Sequence, residues 1–228
     1  MKRSEINAAI DAARTVLEKI SFKLPDFASW SLEEWKSMRP HVTEIIKTGM
    51  GWDVTDLGSN DFVNTGATIF TVRNGYVYDP SIGVPYAEKI IIMTEGQTIP
   101  THFHFKKTED IINRGNGVLC VKLYNSNPDE SIDEQSSPRI KCDGIWKTFK
   151  PGETFEVLPG NSITMAPRLY HAFWAKKGAG TLVCGEVSSI NDDNIDNRFL
   201  PPMPRYADIE EDDPIRYILC NEYEKVLG

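Results

Sequence analysis

Apolar residues Ile6, Ala9, Ile10, Ala13, Val16, Leu17 and Ile20 recur three and four residues apart. That period places them on one stripe of an α-helix. Ser31 with Glu34 three residues later is a capping-box pattern and opens a second helix through Trp35. A third helical stretch, His41 to Lys47, stops at Gly49 and Gly51. These 50 residues cannot bury their own stripe, so residues 1–50 are predicted to form a helical arm packed on the rest of the chain or on a second subunit.

The texture changes near residue 51. Short β-branched and aromatic runs (68–72, 89–94, 118–124, 155–158 and 180–187) alternate with turn residues, among them Asn74-Gly75, Pro151-Gly152 and Pro159-Gly160. Many short strands at this spacing predict a β-sandwich or barrel over 51–228, with an acidic C-terminal segment. The polar stretch 126–138 reads as a surface loop. No purely apolar run exceeds four residues, Ile90 to Met93 among them, which is strand-sized, so no membrane span is expected.

Composition narrows the picture. Of 228 residues, 40% are hydrophobic, and five Trp with ten Phe can fill a sizeable core. The formal charge of −8 argues against a nucleic-acid partner. The acidity concentrates in 186–228, which holds eleven acidic and four basic residues. Four cysteines without a Cys-x-x-Cys pair, and an N-terminus that opens directly into a helix, lead us to expect reduced thiols and a cytoplasmic setting.

Candidate chemistry gathers around few residues. The chain has four histidines, and two stand in His102-Phe103-His104. On a strand these two point to one face. Glu109 follows five residues on, and His171 comes much later. Imidazole and carboxylate suit a divalent ion such as Mn, Fe, Co, Ni or Zn. A lone His-x-His often satisfies only local hydrogen bonds, but Gly96, five residues, His102-x-His104, four residues, Glu109 is a specific spacing. It resembles the first motif of the cupin family. Gly152 to His171 resembles the second, with Arg168-Leu169 where a small residue and Gly are usual. The expected metal site is His102, His104, Glu109 and His171. Three imidazoles and one carboxylate would leave open positions, a catalytic arrangement. His41 reads as structural or solvated. The expected fold is an all-β, jelly-roll-like cupin barrel with an N-terminal helical extension.

Several further stretches resemble the D-lyxose isomerases, the cupin-type sugar isomerases: Gly51 to Asp56, Phe70 to Gly75, the 102–109 block, Glu186 to Asp193, Asp196 to Phe199, Arg205-Tyr206 and Ile209 to Asp212. The resemblance implies a Mn²⁺-dependent aldose–ketose isomerase (Co²⁺, Fe²⁺, Ni²⁺ or Zn²⁺ being alternatives). It further implies a homodimer that interconverts D-lyxose with D-xylulose and D-mannose with D-fructose. Leu200 to Pro204 stands where some relatives are expected to carry a carboxylate. Moving a carbonyl from C1 to C2 through a cis-enediol needs a proton shuttle and stabilisation of the developing oxyanion. Glu186, Glu210 and Glu211 are candidate bases. Lys89, heading an apolar strand, is a candidate catalytic and substrate-binding cation, and Arg205 is a candidate for binding sugar hydroxyls. Tyr170 alternates away from the metal face and belongs to the core. Two rivals stay open: a cupin dioxygenase with the same three-His, one-Glu ligands, and a non-catalytic sugar-binding cupin. A phosphosugar substrate would need a basic cluster, and only Lys106-Lys107 offers one. Proton transfer and a metal-assisted hydride shift also remain open.

Overall fold

A computed structural model describes residues 1–190 and 192–228, without the side chain of Asn194; Asn191, part of the 186–193 block, lies outside the described residues. The arm begins with α1 (Arg3–Lys19), whose buried face is Ile6, Ile10, Ala13 and Leu17, as the three-and-four spacing requires. The helix α2 (Leu32–Met38) starts at Ser31, whose hydroxyl accepts from the Glu34 N–H while the Glu34 carboxylate accepts from the Ser31 N–H. A short α3 (Thr43–Lys47) completes the arm.

The strands are β1 (Gly51–Thr55), β2 (Ala67–Tyr76), β3 (Asp79–Met93), β4 (Thr98–His104), β5 (Glu109–Gly115), β6 (Leu119–Ser126), β7 (Ile132–Asp133), β8 (Arg139–Cys142), β9 (Ile145–Thr148), β10 (Thr154–Val157), β11 (Ser162–Met165), β12 (Tyr170–Ala175) and β13 (Leu182–Ser189). A one-turn α4 (Asp193–Asp196) then leads into β14 (Asn197–Phe199), and α5 (Tyr223–Leu227) ends the chain. One sheet runs β1-β2-β3-β13-β5-β11-β8-β9 and the other β10-β6-β12-β4-β14. The neighbours in each are antiparallel. This is the all-β cupin barrel with an N-terminal helical extension.

Alternation along β3 shows how the two cores form. Ile91 and Met93 point into the barrel with Ile111, Leu123, Phe173 and Cys184. Ile90 and Ile92 point outward, where α1 and the aromatic residues Phe27, Trp35, Trp52 and Phe70 cover them. Each fully buried aliphatic side chain contributes about 1.5–3 kcal/mol, so the arm is held by its stripe on the outer face of the sheet. The C-terminal segment closes over the same helix. Arg3 is wholly buried and donates to the carboxylates of Glu222 and Glu211.

Two local expectations are corrected. Asn74-Gly75 is not the hairpin turn: both residues lie within β2, and the chain reverses after Tyr76. The register shifts between Thr71 and Arg73 and again on to Gly75 accommodate this. Gly75 is needed there because a Cβ would collide with the Val84 carbonyl oxygen. Within 126–138, β7 pairs with β6, and Asp129 and Asp133 close turns onto Ser131 and Ser136. All four cysteines are free thiols. Among the described residues, no helix is long and apolar enough to cross a membrane.

Candidate metal centre

Register brings the histidines together. His102 on β4 faces His171 on β12 directly across the strand pair, and His104 follows His102 on the same face. All three are buried, with potential ligand atoms within 4.8 Å of one another. Phe199 stacks on the His102 ring at 4.9 Å. The Nδ1 atoms of His102 and His171 lie 2.8 and 2.9 Å from the carbonyl oxygens of Pro100 and Leu169. A carbonyl only accepts, so each Nδ1 carries the proton and each Nε2 presents a lone pair. Burial, reinforced by His171 and His104, pushes the His102 pKa well below the ordinary histidine value, and burial with Lys107 lowers that of His104. The His102 and His104 rings are therefore neutral, the form that binds metal.

Glu109, at the head of β5, completes the group. Its Oε1 lies 3.1 Å from His171 Nε2 and 3.3 Å from His104 Nε2. None of these three buried atoms has a hydrogen-bond partner. With the His171 proton on Nδ1, its Nε2 and Glu109 Oε1 are acceptors facing one another without an intervening proton, which is repulsive, and a shared cation resolves this. The donor set fits a divalent ion with nitrogen and oxygen ligands. His41 is exposed, far from this role.

A ladder of alternating charge extends from Glu109. Lys107 Nζ lies 2.7 Å from Glu109 Oε2 and 3.0 Å from Glu186 Oε1. Lys89 Nζ lies 3.4 Å from Glu186 and 3.2 Å from Asp193. Arg205 then joins Asp193 at 3.1 Å to Asp53 at 2.6 Å. Sheet register builds the middle of it, because Glu186 on β13 is directly opposite Lys89 on β3. Burial alone would raise the pKa of Glu109, but Lys107 and then His104 outweigh it and hold this carboxyl well below the usual range. Lys107 and Lys89 likewise keep Glu186 low against its burial, and Lys89 and Arg205 do the same for Asp193. Lys107 itself is held protonated: burial opposes its charge, and Glu109 and Glu186 restore it.

A cavity of about 60 Å³ opens beside the histidines, lined by Lys107, Glu186, Lys89, Asn197 and Arg205 among others. Lys89, Glu186 and Arg205 thus come together with the four candidate metal ligands. Glu210 and Glu211, the other two candidate bases, are not brought to this cavity. Glu211 is bound by Arg3 and Lys225, and Glu210 pairs along the backbone with Lys2 beside α1. The acidic run answers a buried cation on the arm. Tyr170 sits in the core against Phe103 and donates to the Glu130 carbonyl. Lys107 and Asp193 were missed as site residues. Lys107 stands in the loop before β5, where no alternation assigns a face, and its charge is taken up by Glu109 and Glu186.

The family model for D-lyxose isomerase matches residues 1–223. A D-lyxose/D-mannose isomerase of Serratia proteamaculans is 40% identical over 229 aligned positions covering all of both chains. One from Escherichia coli O157:H7 is 42% identical, covering 99% of each. Among solved structures, L-ribose isomerase of Cellulomonas parahominis with L-ribose aligns with TM-score 0.59 at 14% identity, covering 92% of this chain and 98% of that one. The Acinetobacter sp. DL28 L-ribose isomerase aligns with TM-score 0.56 at 15% identity, covering 88% and 92%. At such identities these two speak for the fold alone, whereas the full-length matches decide the family. The chain belongs to the D-lyxose isomerase family and is a sugar isomerase.

Proposed function

We propose that this sugar isomerase interconverts D-lyxose with D-xylulose, and D-mannose with D-fructose, at a metal centre of His102, His104, Glu109 and His171, with Glu186 as the proton-transferring carboxylate. The observation that carries this reading is the convergence of unpartnered, buried Nε2 and Oε1 atoms at one point, with an ionised carboxylate two ion-pair steps away. A divalent ion bound there supplies Lewis acidity toward the carbonyl and neighbouring hydroxyl oxygens of the sugar. Mn²⁺ suits the nitrogen and oxygen donors, which include no thiolate.

The chain's own groups perform the rest. Glu186 takes the proton from C2 of the aldose while the C2–H electron pair forms the C1–C2 double bond of a cis-enediol. After its proton exchanges with solvent, Glu186 delivers a proton to C1 as the C2 carbonyl forms, and the hydroxyl proton passes from O2 to O1. Lys107 and Lys89 keep Glu186 ionised before the transfer and place positive charge beside the developing oxyanion. Arg205 and the free Oδ1 of Asn197 line the cavity where sugar hydroxyls would bind. Phe173 and Phe199 give it an apolar wall. Four free thiols agree with a reducing, cytoplasmic setting. A homodimer belongs to the same reading and is checked by sedimentation.

The test is turnover of a panel of free aldoses in D₂O with Mn²⁺ supplied. D-lyxose and D-mannose should form ketose with deuterium entering at the exchanged carbon. Turnover with complete retention of the original hydrogen would favour a hydride shift over a base shielded from solvent only if Glu186→Gln also kept near-normal kcat, and the two results together would remove Glu186 from its role. Isomerisation that continues without O₂ separates this reading from a dioxygenase.

A further inference from the structure

A second cavity, of about 190 Å³, adjoins the first. The two share only Lys89, Asp193 and Arg205 among the described residues. These three side chains, linked by ion pairs of 3.1 and 3.2 Å, form a partition with the metal centre on one side. The second chamber is roomy enough for much more than a single water, which needs about 10–15 Å³.

Its chemistry selects a class of guest. The two cations of the partition are already committed to carboxylates, Lys89 to Glu186 and Asp193, and Arg205 to Asp53 and Asp193. Among the described residues, the chamber's three cations, Lys47, Lys89 and Arg205, are matched by three carboxylates, Asp53, Asp192 and Asp193, so an anion meets no net positive charge. Asp53, 1% exposed, lines this chamber and has an Oδ1 with no hydrogen-bond partner, and Arg205 has an Nη1 in the same condition. Buried polar atoms left unsatisfied are costly. One is an acceptor and one a donor, and hydroxyl groups serve both. Thr71 adds a wall hydroxyl. Tyr76 and Tyr78, packed edge to face at 5.3 Å, supply ring and hydroxyl together at the lining.

We propose that this chamber is a second binding site, for a neutral polyhydroxy molecule such as a sugar or sugar alcohol, and that its occupancy is felt at Glu186 through Lys89. The register supports the coupling. Thr71 on β2 is directly opposite Lys89 on β3, which is directly opposite Glu186 on β13. A guest touching the Thr71 side of the partition therefore acts on the lysine that faces the carboxylate.

The probe is xylitol, which has no carbonyl and cannot be isomerised. Equilibrium binding to the full chain should reveal two classes of site. His171→Gln should abolish the class at the metal centre and retain the other. Thr71→Val with Tyr78→Ala should weaken the other by roughly tenfold or more, as loss of about one or two hydrogen bonds would, and retain the first. In turnover assays xylitol should lower kcat as well as raise KM, and the Thr71→Val, Tyr78→Ala protein should show competitive inhibition only. A single class of site up to about 100 mM xylitol, lost entirely with His171→Gln, overturns the proposal. Should either variant fail to fold, crystals soaked in xylitol decide: density between Asp53 and Thr71 supports it, and density confined to the histidine side refutes it. Because binding is read without turnover, these outcomes do not depend on which sugar the metal centre isomerises.

Discussion

Replacing Lys107 by Met tests the charge ladder at its most buried cation. The Lys107 side chain is 2% exposed and bridges Glu109 at 2.7 Å and Glu186 at 3.0 Å. Methionine keeps similar bulk and leaves both carboxylates in place with Lys89 as the remaining near cation. At an effective dielectric constant near 20, each lost contact is worth about 6 kcal/mol of gross attraction. Recovered desolvation of the ammonium offsets much of that, and breaking a buried pair typically costs about 3–5 kcal/mol net. In a chain of this size the midpoint of thermal unfolding should fall by about 6–20 °C. The loss should also depend on pH. In the wild type Glu109 and Glu186 titrate below the usual range, so their contribution is present above the ordinary carboxylate pKa and fades as pH falls through the lowered folded values. Without Lys107 both values rise, and protonation then relieves the repulsion. The gap between wild type and Lys107→Met should be widest near pH 7 and narrow as pH falls below the ordinary carboxylate value of about 4.5. Urea unfolding of chelator-treated protein across that range reads the effect directly. A loss below about 1 kcal/mol near neutral pH, or one unchanged as pH falls below about 4.5, refutes the ladder as a coupled electrostatic unit.

Other substitutions separate the roles of the remaining groups. Glu186→Gln removes the proposed base almost isosterically, and kcat should drop by about 10²–10⁴-fold with KM little changed; a ketose assay showing near-normal kcat would assign the base elsewhere. His171→Gln should reduce the bound divalent metal, measured by elemental analysis, from about one ion per chain to background. Arg3→Met strands the buried Glu222 carboxylate, and urea unfolding should show a loss of about 3–5 kcal/mol with kcat unaffected, since Arg3 serves the arm. In the wild type, hydrogen bonding to Arg3 holds Glu211 at about 2 against an ordinary value of 4.5. This contribution to stability should therefore be complete above pH 4.5 and disappear as pH falls toward about 2, and an acid titration of stability that is flat over this window in the wild type would contradict it.

What the sequence reveals follows from which interactions are local. Strand alternation alone puts His102 and His104 on one face, and the helical stripe of α1 names its buried residues one by one. The Lys89–Glu186 pair is less visible, because it depends on β3 and β13 lying side by side, a pairing between residues 97 positions apart that no period encodes. Lys107 is hidden for another reason: it belongs to an irregular segment, so its direction comes from the pull of Glu109 and Glu186. Glu210 and Glu211 mislead because a run of acidic residues near a presumed site resembles a base. Yet Arg3 sits on the α1 stripe one turn before Ile6, and a cation in that buried position needs a carboxylate from somewhere distant in the chain.

One divalent ion, held by His102, His104, Glu109 and His171, should be required for isomerisation. The direct measurement strips the protein with a chelator, restores Mn²⁺ in steps, and follows bound metal and D-xylulose formation from D-lyxose in the same samples. Turnover should be absent from the stripped protein and rise in proportion to bound metal, reaching its limit at about one ion per chain. Ketose formation at full rate by metal-free protein would contradict the account, as would tight metal binding that leaves D-lyxose and every other free aldose unconverted.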